Sequence, residues 1–477
     1  MPVPNYALLR EIAGCLFLLD LLFYLPFAKV CLGPGYWKGR WLEPVPARAA
    51  VVAGWALGSL SLILGVYPLI GALVLLVIFR AIYVRGRWLT LFRGGGAPGF
   101  MSHYLAAVLF LLEASAWLDG SGALSAHALR VIRIDFGVIL LCSGTYKSLS
   151  GYLRGEGMEY GLANPFWGYW YRWFGRIRPR HPFFLLQDQG AAITQVLMGL
   201  FLIVPPTRPL GAVMCVASFF YLLFTVRLGR LAALMMAIPL LYLPDLGVSL
   251  FDGLGGAVSV APIATPPAVL AALAAAGWSY LALLAAVKAM QYLNLFANLQ
   301  YPEPLQSWLT RYANFVPIIM WRVFTPDVTN FFIRIGAIDR ASGRRTPIAD
   351  EDTAYSYRHW KNLPDKLRFL NVTESIAITT VFTTLKYFTS KRELFDAKLV
   401  EYARSLNRGD GALISFQYVA ILKGEREFRY VNVCDFVVDP CAGTIEERKL
   451  IPEFSYSAPA QYSHITETTG YGSYAPL

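Results

Sequence analysis

The stretch from Ala49 to Val84 holds one charge, Arg80, in 36 residues. As a single helix it would be about 54 Å long at 1.5 Å per residue, well beyond the ~30 Å apolar thickness of a bilayer. It must break, and Tyr67-Pro68 is the natural place, because proline opens helices and disrupts their interiors. Further apolar runs cover Tyr6–Cys31, Met101–Leu118, Ala126–Lys147, Pro182–Val204, Pro209–Pro244 (divided at Arg227-Leu-Gly-Arg230) and Pro267–Phe296. Nine segments of spanning length result. Composition agrees: 56% of residues are hydrophobic and 15% charged, against about 25% charged in soluble domains. The expected fold is a polytopic α-helical membrane protein with about nine transmembrane helices over 1–298. An interfacial helix and junction follow over 299–326, then an α+β soluble domain over 327–452 and an extended tail over 453–477.

The formal charge of +11 reads as topology and not as nucleic-acid binding. Basic residues alternate from loop to loop. Lys38, Arg40 and Arg48 lie in the first loop and none in the second. Arg85, Arg87 and Arg93 lie in the third, Asp119 in the fourth. Arg154, Arg172, Arg176, Arg178 and Arg180 crowd the fifth, and Arg208 stands alone in the sixth. Arg227 and Arg230 mark the seventh, Asp245 and Asp252 the eighth. By the positive-inside rule the N-terminus is outside and the C-terminal domain cytoplasmic. The first apolar run contains Asp20 and Lys29 and no A-x-A site, so it is read as a retained helix. Cys15, Cys31, Cys142 and Cys215 fall in apolar runs as small hydrophobes. Cys434 and Cys441 could form a disulfide only on the oxidising side, and no second Cys/His pair lies nearby to complete a zinc site.

Beyond Phe296 the pattern changes. Trp308, Tyr312, Phe315 and Trp321 alternate with Arg311 and Arg322, the composition of a helix lying among lipid headgroups. A strand is expected over "VTNFFIRIGAID" with a turn near Ser342-Gly343, helix over Asp365–Asn407, and a hairpin turning near Lys423-Gly424-Glu425. The tail Glu453–Leu477 is rich in Pro, Gly, Ser and Tyr and has no periodicity. It is expected to be disordered alone and suited to lying along other membrane subunits.

Ionisable groups inside apolar runs are costly and tend to be functional. Glu113 and Asp135 form a candidate intramembrane polar cluster. Counted from a turn at Asp119–Ser125, their depths differ by about 6 Å. The same count places His103 near the level of Lys147. Two readings stand for Lys147. It is a buried base with His103 as polar neighbour, or a snorkelling anchor at a span end. Lys29, Arg80 and Lys288 read as anchors. Nine aromatics and four arginines between Phe166 and Phe184 fit an interfacial helix or a lid over a lipid-soluble substrate such as a quinone. Gln187, Asp188 and Gln189 form a polar cap on the next span. No phosphate loop, zinc motif or nucleophile elbow occurs. No two of the five histidines share a span, which excludes a convincing haem or copper site.

The segment Ser143-Gly-Thr-Tyr-Lys147-Ser-Leu, followed by Gly157-Met-Glu-Tyr160 and the aromatics, resembles the vitamin K-dependent gamma-carboxylases. It also resembles their bacterial relatives that share the horizontally transferred transmembrane (HTTM) unit. "MWRVFTPDVTNFFIRIGAIDRASGR" is similar to the Trp-x-x-Phe junction of that family and of lipase maturation factors. These motifs lie between Ala126 and Arg345. The resemblance implies an HTTM-like domain over 1–298 in a bacterial cytoplasmic membrane. It implies Lys147 as base on a reduced quinone, and a soluble domain on the extracytoplasmic side, opposite to the loop-charge count. Tyr221 stands where the family's seventh span carries histidine, and the partner asparagine is missing. Three functions are therefore expected, in this order. The first is an accessory or structural subunit of a larger membrane complex. The second is a carboxylase-like enzyme dependent on a bound quinone or lipid. The third is an assembly or maturation factor.

Overall fold

Tyr67-Pro68 is where the long apolar stretch breaks. Helix α2 (Val45–Leu64) ends there, and α3 (Pro68–Phe79) begins with proline in its first turn. Gly65 and Tyr67 both adopt positive φ, +67° and +50°, and the Ser61 hydroxyl donates to the Val66 carbonyl at 2.6 Å. The computed structural model describes residues 3–25, 45–85, 96–155, 157–251, 260–316, 329–350, 372–387, 392–407 and 411–454. The expectations for Lys29, Cys31, the Trp321–Phe324 junction and the tail from 455 onward lie outside the described residues.

Over the described residues the chain is mostly helical. Around α2 and α3 stand α1 (Tyr6–Tyr24), a π-helical segment (Arg80–Arg85) and α4 (Gly96–Leu118), and α5 (Ala123–Leu149) packs on α4. The short α6 (Met158–Ala163) and α7 (Tyr171–Phe174) come next. Then follow α8 (Pro182–Ile203), α9 (Arg208–Thr225), α10 (Arg230–Ala237), α11 (Pro267–Phe296) and α12 (Glu303–Phe315). Four helical stretches, Pro46–Leu64, Ala97–Leu118, Pro205–Thr225 and Pro267–Phe296, are long and apolar enough to cross a membrane. Pro68–Val84 and Arg230–Tyr242 are apolar but shorter. The other long helices, α1, α5 and α8, bury charged or amide side chains: Glu11 and Asp20, Asp135 and Lys147, Asp188 and Gln195.

Contacts sort the connections into two ends of the bundle. At one end the Asn5 side chain donates to the carbonyls of Leu240 and Pro244. Glu11 accepts from Ser249 and from the Leu250 N–H, and Ile263 N–H donates to the Trp117 carbonyl. At the other, Arg227 N–H donates to the Trp167 carbonyl at 2.6 Å, and the C-terminal sheet docks on the α6–α7 segment. The turn between α4 and α5 is shorter than expected. One Asp119 carboxylate oxygen accepts from Ser121 and the other from the Leu124 N–H at 2.7 Å. This capping starts α5 at Ala123.

The C-terminal region is an antiparallel sheet in the order β2-β1-β3-β4-β5: β1 (Phe331–Ile338), β2 (Arg345–Pro347), β3 (Leu413–Lys423), β4 (Phe428–Asp439) and β5 (Thr444–Lys449). Helices α13 (Thr373–Tyr387) and α14 (Arg392–Leu406) cover one face, where Phe382 and Phe395 pack edge-on against Phe436. Alternation along β1 turns Phe332 to the opposite side. A bulge in β4 opposite Tyr418–Val419 turns Phe428 and Tyr430 there too, although they lie an even number of residues from Phe436. There they meet Phe166, Tyr160 and Phe184 of the helical region. Both cysteines of the region are free thiols, Cys434 buried on β4 and Cys441 exposed at the following turn.

Candidate functional site

Lys147 sits where α5 and α8 approach most closely, and small residues cause the approach. A Cβ on Gly199 would lie 2.4 Å from the Leu141 nitrogen, and one on Gly144 2.5 Å from the Val196 nitrogen. Only glycine permits backbones this near. The crossing lets the Ser143 hydroxyl donate to Gln195 Oε1 at 2.9 Å. Lys147, one turn on, is directed between the helices. It is 4% exposed, with its ammonium 5.5 Å from the Tyr152 ring centroid. A snorkelling lysine would reach the surface; this one does not.

Lys147 lines a cavity of about 440 Å³ with Met158, Gln187, Gln195, Phe219 and Tyr221. Among the described residues no carboxylate forms an ion pair with it. Asp188 is the acidic group whose field reaches it, and both Asp188 oxygens are engaged. They accept from the N–H groups of Gly157 at 3.1 Å and Met158 at 2.5 Å. Across the cavity the Tyr221 hydroxyl donates to Gln187 Oε1 at 2.7 Å. The site can therefore hold an apolar molecule against an amine, an amide and a phenol.

The Met158–Phe184 stretch has a different position from the expected interfacial helix or lid. It is the seat of the C-terminal sheet. Glu159, fully buried, pairs with Lys423. Asn164 donates to the carbonyls of Thr329 and Phe331 at 2.6 and 2.7 Å. The Tyr430 hydroxyl donates to the Ala163 carbonyl at 2.6 Å, and Phe428 N–H to that of Gly175 at 2.9 Å. Phe166 and Phe174 are buried beneath the sheet, while Trp170 and Trp173 remain exposed.

His103, Glu113 and Asp135 lie elsewhere. Tyr104 stacks with Phe136 and Ser115 bonds Ser125, which sets the antiparallel register of α4 and α5. Asp135 then stands level with His103 and Tyr104, and Glu113 about two turns away. The expected depth difference of about 6 Å between Glu113 and Asp135 is corrected to about twice that, because helix replaces three of the residues assigned to the turn. Glu113 accepts from the Tyr6 hydroxyl at 2.6 Å. Asp135 accepts from Tyr280 of α11 at 3.1 Å. His103 shares a cavity with Asp135 and Lys288, not with Lys147. Lys288 is buried and lines that cavity, unlike the anchor it was expected to be.

Asp188 and Gln195 were visible in the sequence only as polar residues in an apolar run. Their seven-residue spacing puts them on one helical face, a signal that they share a site. Among the described residues no cluster of three or more His, Cys, Asp or Glu could hold a metal ion. No protein-family model matches the chain, no curated protein matches it, and no solved structure matches its fold.

Proposed function

We propose that the protein is an integral membrane protein of about nine transmembrane helices that holds a lipid-soluble substrate beside Lys147 and uses the lysine as a base. The observation that carries this is the burial of Lys147 in the wall of a cavity with no ion-pair partner among the described residues. A buried ammonium without a paired carboxylate loses hydration and gains little Coulombic return. That is the setting in which lysines act in proton transfer or as nucleophiles. In the step considered, the Nζ lone pair takes a proton from an acidic O–H or C–H of the substrate and leaves an anion. The Gln195 amide nitrogen, which makes no hydrogen bond among the described residues, is the group placed to receive that anion. Tyr221 lines the same cavity. A quinone or lipid is the substrate class that suits the apolar walls.

Support for the topology comes from the two ends of the bundle. The α6–α7 segment, the Arg227 connection and the C-terminal sheet share one end. That grouping is the one nine crossings would produce, and the loop charges then assign it to the cytoplasmic side of a bacterial membrane. A second reading, an accessory subunit of a membrane complex, is favoured by Trp170 and Trp173, 61% and 57% exposed on the same end. Large exposed aromatics there suit a partner subunit.

The test is purification in mild detergent followed by mass analysis of everything bound. The enzyme reading expects an apolar small molecule with the wild-type protein and its loss from Lys147→Met. Stoichiometric partner proteins, unchanged in Lys147→Met and accompanied by no small molecule, would replace it with the subunit reading.

A further inference from the structure

The cavity between α4, α5 and α11 is separate from that of Lys147 and independent of the reading given to it. Its volume is about 560 Å³, within the ~300–1,000 Å³ typical of small-molecule sites. Its walls are sorted by depth. One end carries His103, Tyr104, the Asp135–Tyr280 pair and Lys288; the other, toward the Asp119–Gly122 turn, carries Leu111, Leu118 and Leu124, with His127 and Ser115 beside them. His103 is 6% exposed, yet its Nδ1 has no hydrogen-bond partner among the described residues, while the neighbouring Tyr104 hydroxyl is set against the Asp135 carboxylate. Orphaned polar atoms of this kind are costly and mark a place where a ligand supplies the missing partner. Arg80, at the start of the π-helical segment, also lines the cavity, with its guanidinium 4.7 Å from the Phe315 ring centroid. Such segments are rare and recur at functional sites.

We infer that this cavity binds an uncharged, hydroxyl-headed lipid of the long-chain alcohol class. Its head lies among His103, Tyr104 and Asp135, and its chain runs along Leu111 toward the α4–α5 turn. A hydroxyl both donates and accepts, so it satisfies the His103 nitrogen whichever tautomer the imidazole adopts. Arg80 and Lys288 also line the cavity but already have interactions of their own, so the head needs no negative charge, and an ionised phosphate or carboxylate would face the Asp135 carboxylate. The apolar end, bounded by leucines, gives a chain what a compact polar ligand cannot use.

The experiment is photolabelling of the full-length protein in nanodiscs with a diazirine-bearing hexadecanol, mapped by peptide mass analysis. Label is expected on α4 and α5 between Tyr104 and Ile132, competed by excess hexadecanol. His103→Leu, which removes the head partner, is expected to lower it about fivefold, the scale of one buried hydrogen bond. Ala114→Phe, which fills the chain end without touching His103, Tyr104 or Asp135, gives the same loss by a second route. Lys147→Met leaves the labelling unchanged. Equal labelling by the matching diazirine alkane would overturn the proposal. So would label confined to the outward face of α11 in wild type and both variants.

Discussion

Arg230 and Lys147 are both cations buried within the helical region, 4% exposed each, and they are treated in opposite ways. Arg230 of α10 is enclosed. Its Nη1 lies 2.7 Å from Asp20 Oδ1. The other Asp20 oxygen accepts from the Tyr83 hydroxyl at 2.5 Å, and Ser102 is 3.5 Å from Nε. Four chain segments meet in that knot, and no valence faces a cavity described above. Lys147 has an aromatic ring, a distant carboxylate already committed to two backbone N–H groups, and open space. Burial alone thus says little about a charged residue. What distinguishes the two cations is whether the protein has finished solvating them.

The largest expected effect comes from breaking the closed pair. Asp20→Ala leaves Arg230 uncompensated and is expected to cost about 3–5 kcal/mol, read as thermal unfolding in detergent. The double variant Asp20→Leu/Arg230→Met should recover most of that loss, since an apolar pair of similar volume often replaces a buried ion pair without penalty. If the double variant is as unstable as the single one, the knot acts through shape and not charge. Gly199→Ala comes next. Its Cβ would collide with the Leu141 backbone, and the forced separation of α5 and α8 is expected to cost about 1–3 kcal/mol. It should also loosen whatever binds beside Lys147. Lys423→Ala strands the buried Glu159 carboxylate and is expected to cost about 1–3 kcal/mol. Limited proteolysis should then release the sheet from the α6–α7 seat before the helices unfold. Lys147→Met has the contrasting sign: removing an unpaired buried charge leaves the unfolding temperature equal or higher. A fall comparable to that of Asp20→Ala would erase the comparison.

The smallest effect concerns pH. The Arg340 guanidinium and the N–H groups of Ala442 and Cys441 hold the Asp439 carboxyl below the usual carboxylate range. Hydrogen bonds from Ser342 do the same for Asp339. A depressed folded-state value adds stability above the unfolded-state value and loses it as pH falls through the folded one. The C-terminal domain should therefore weaken on acidification below the ordinary carboxylate range, slightly, because Asp339 is exposed and Asp439 is only half-buried. Asp439→Asn should flatten that slope.

The legible parts of the fold were those set by local chemistry. The break at Tyr67-Pro68, the division at Arg227–Arg230, the limits of α11 and the hairpin around Gly424 all follow from proline, glycine and apolar runs a few residues long. Lys147 stood out because a charge ended an apolar run. The rest depended on pairings that no local pattern announces. Glu159 and Asn164 lie in a stretch whose aromatics suggested a membrane surface. Their partners, Lys423, Thr329 and Phe331, come from a sheet far along the chain. The depths of Glu113 and Asp135 turned on three residues of helix gained through Asp119 capping. Strand β5 escaped notice because its "TIEERK" sequence is edge-like and charged, as exposed edge strands are.

The seat of the sheet has a consequence for the order of folding. Tyr430 and Ala163 meet across 267 positions of sequence. A ribosome must deliver nearly the whole chain before the segment beside Asp188 receives its cover. Until then the N–H groups of Gly157 and Met158 rest on Asp188 alone, a local contact that needs no long loop to close. The helices thus assemble the Lys147 cavity early, and the later strands cover the α6–α7 segment beside it.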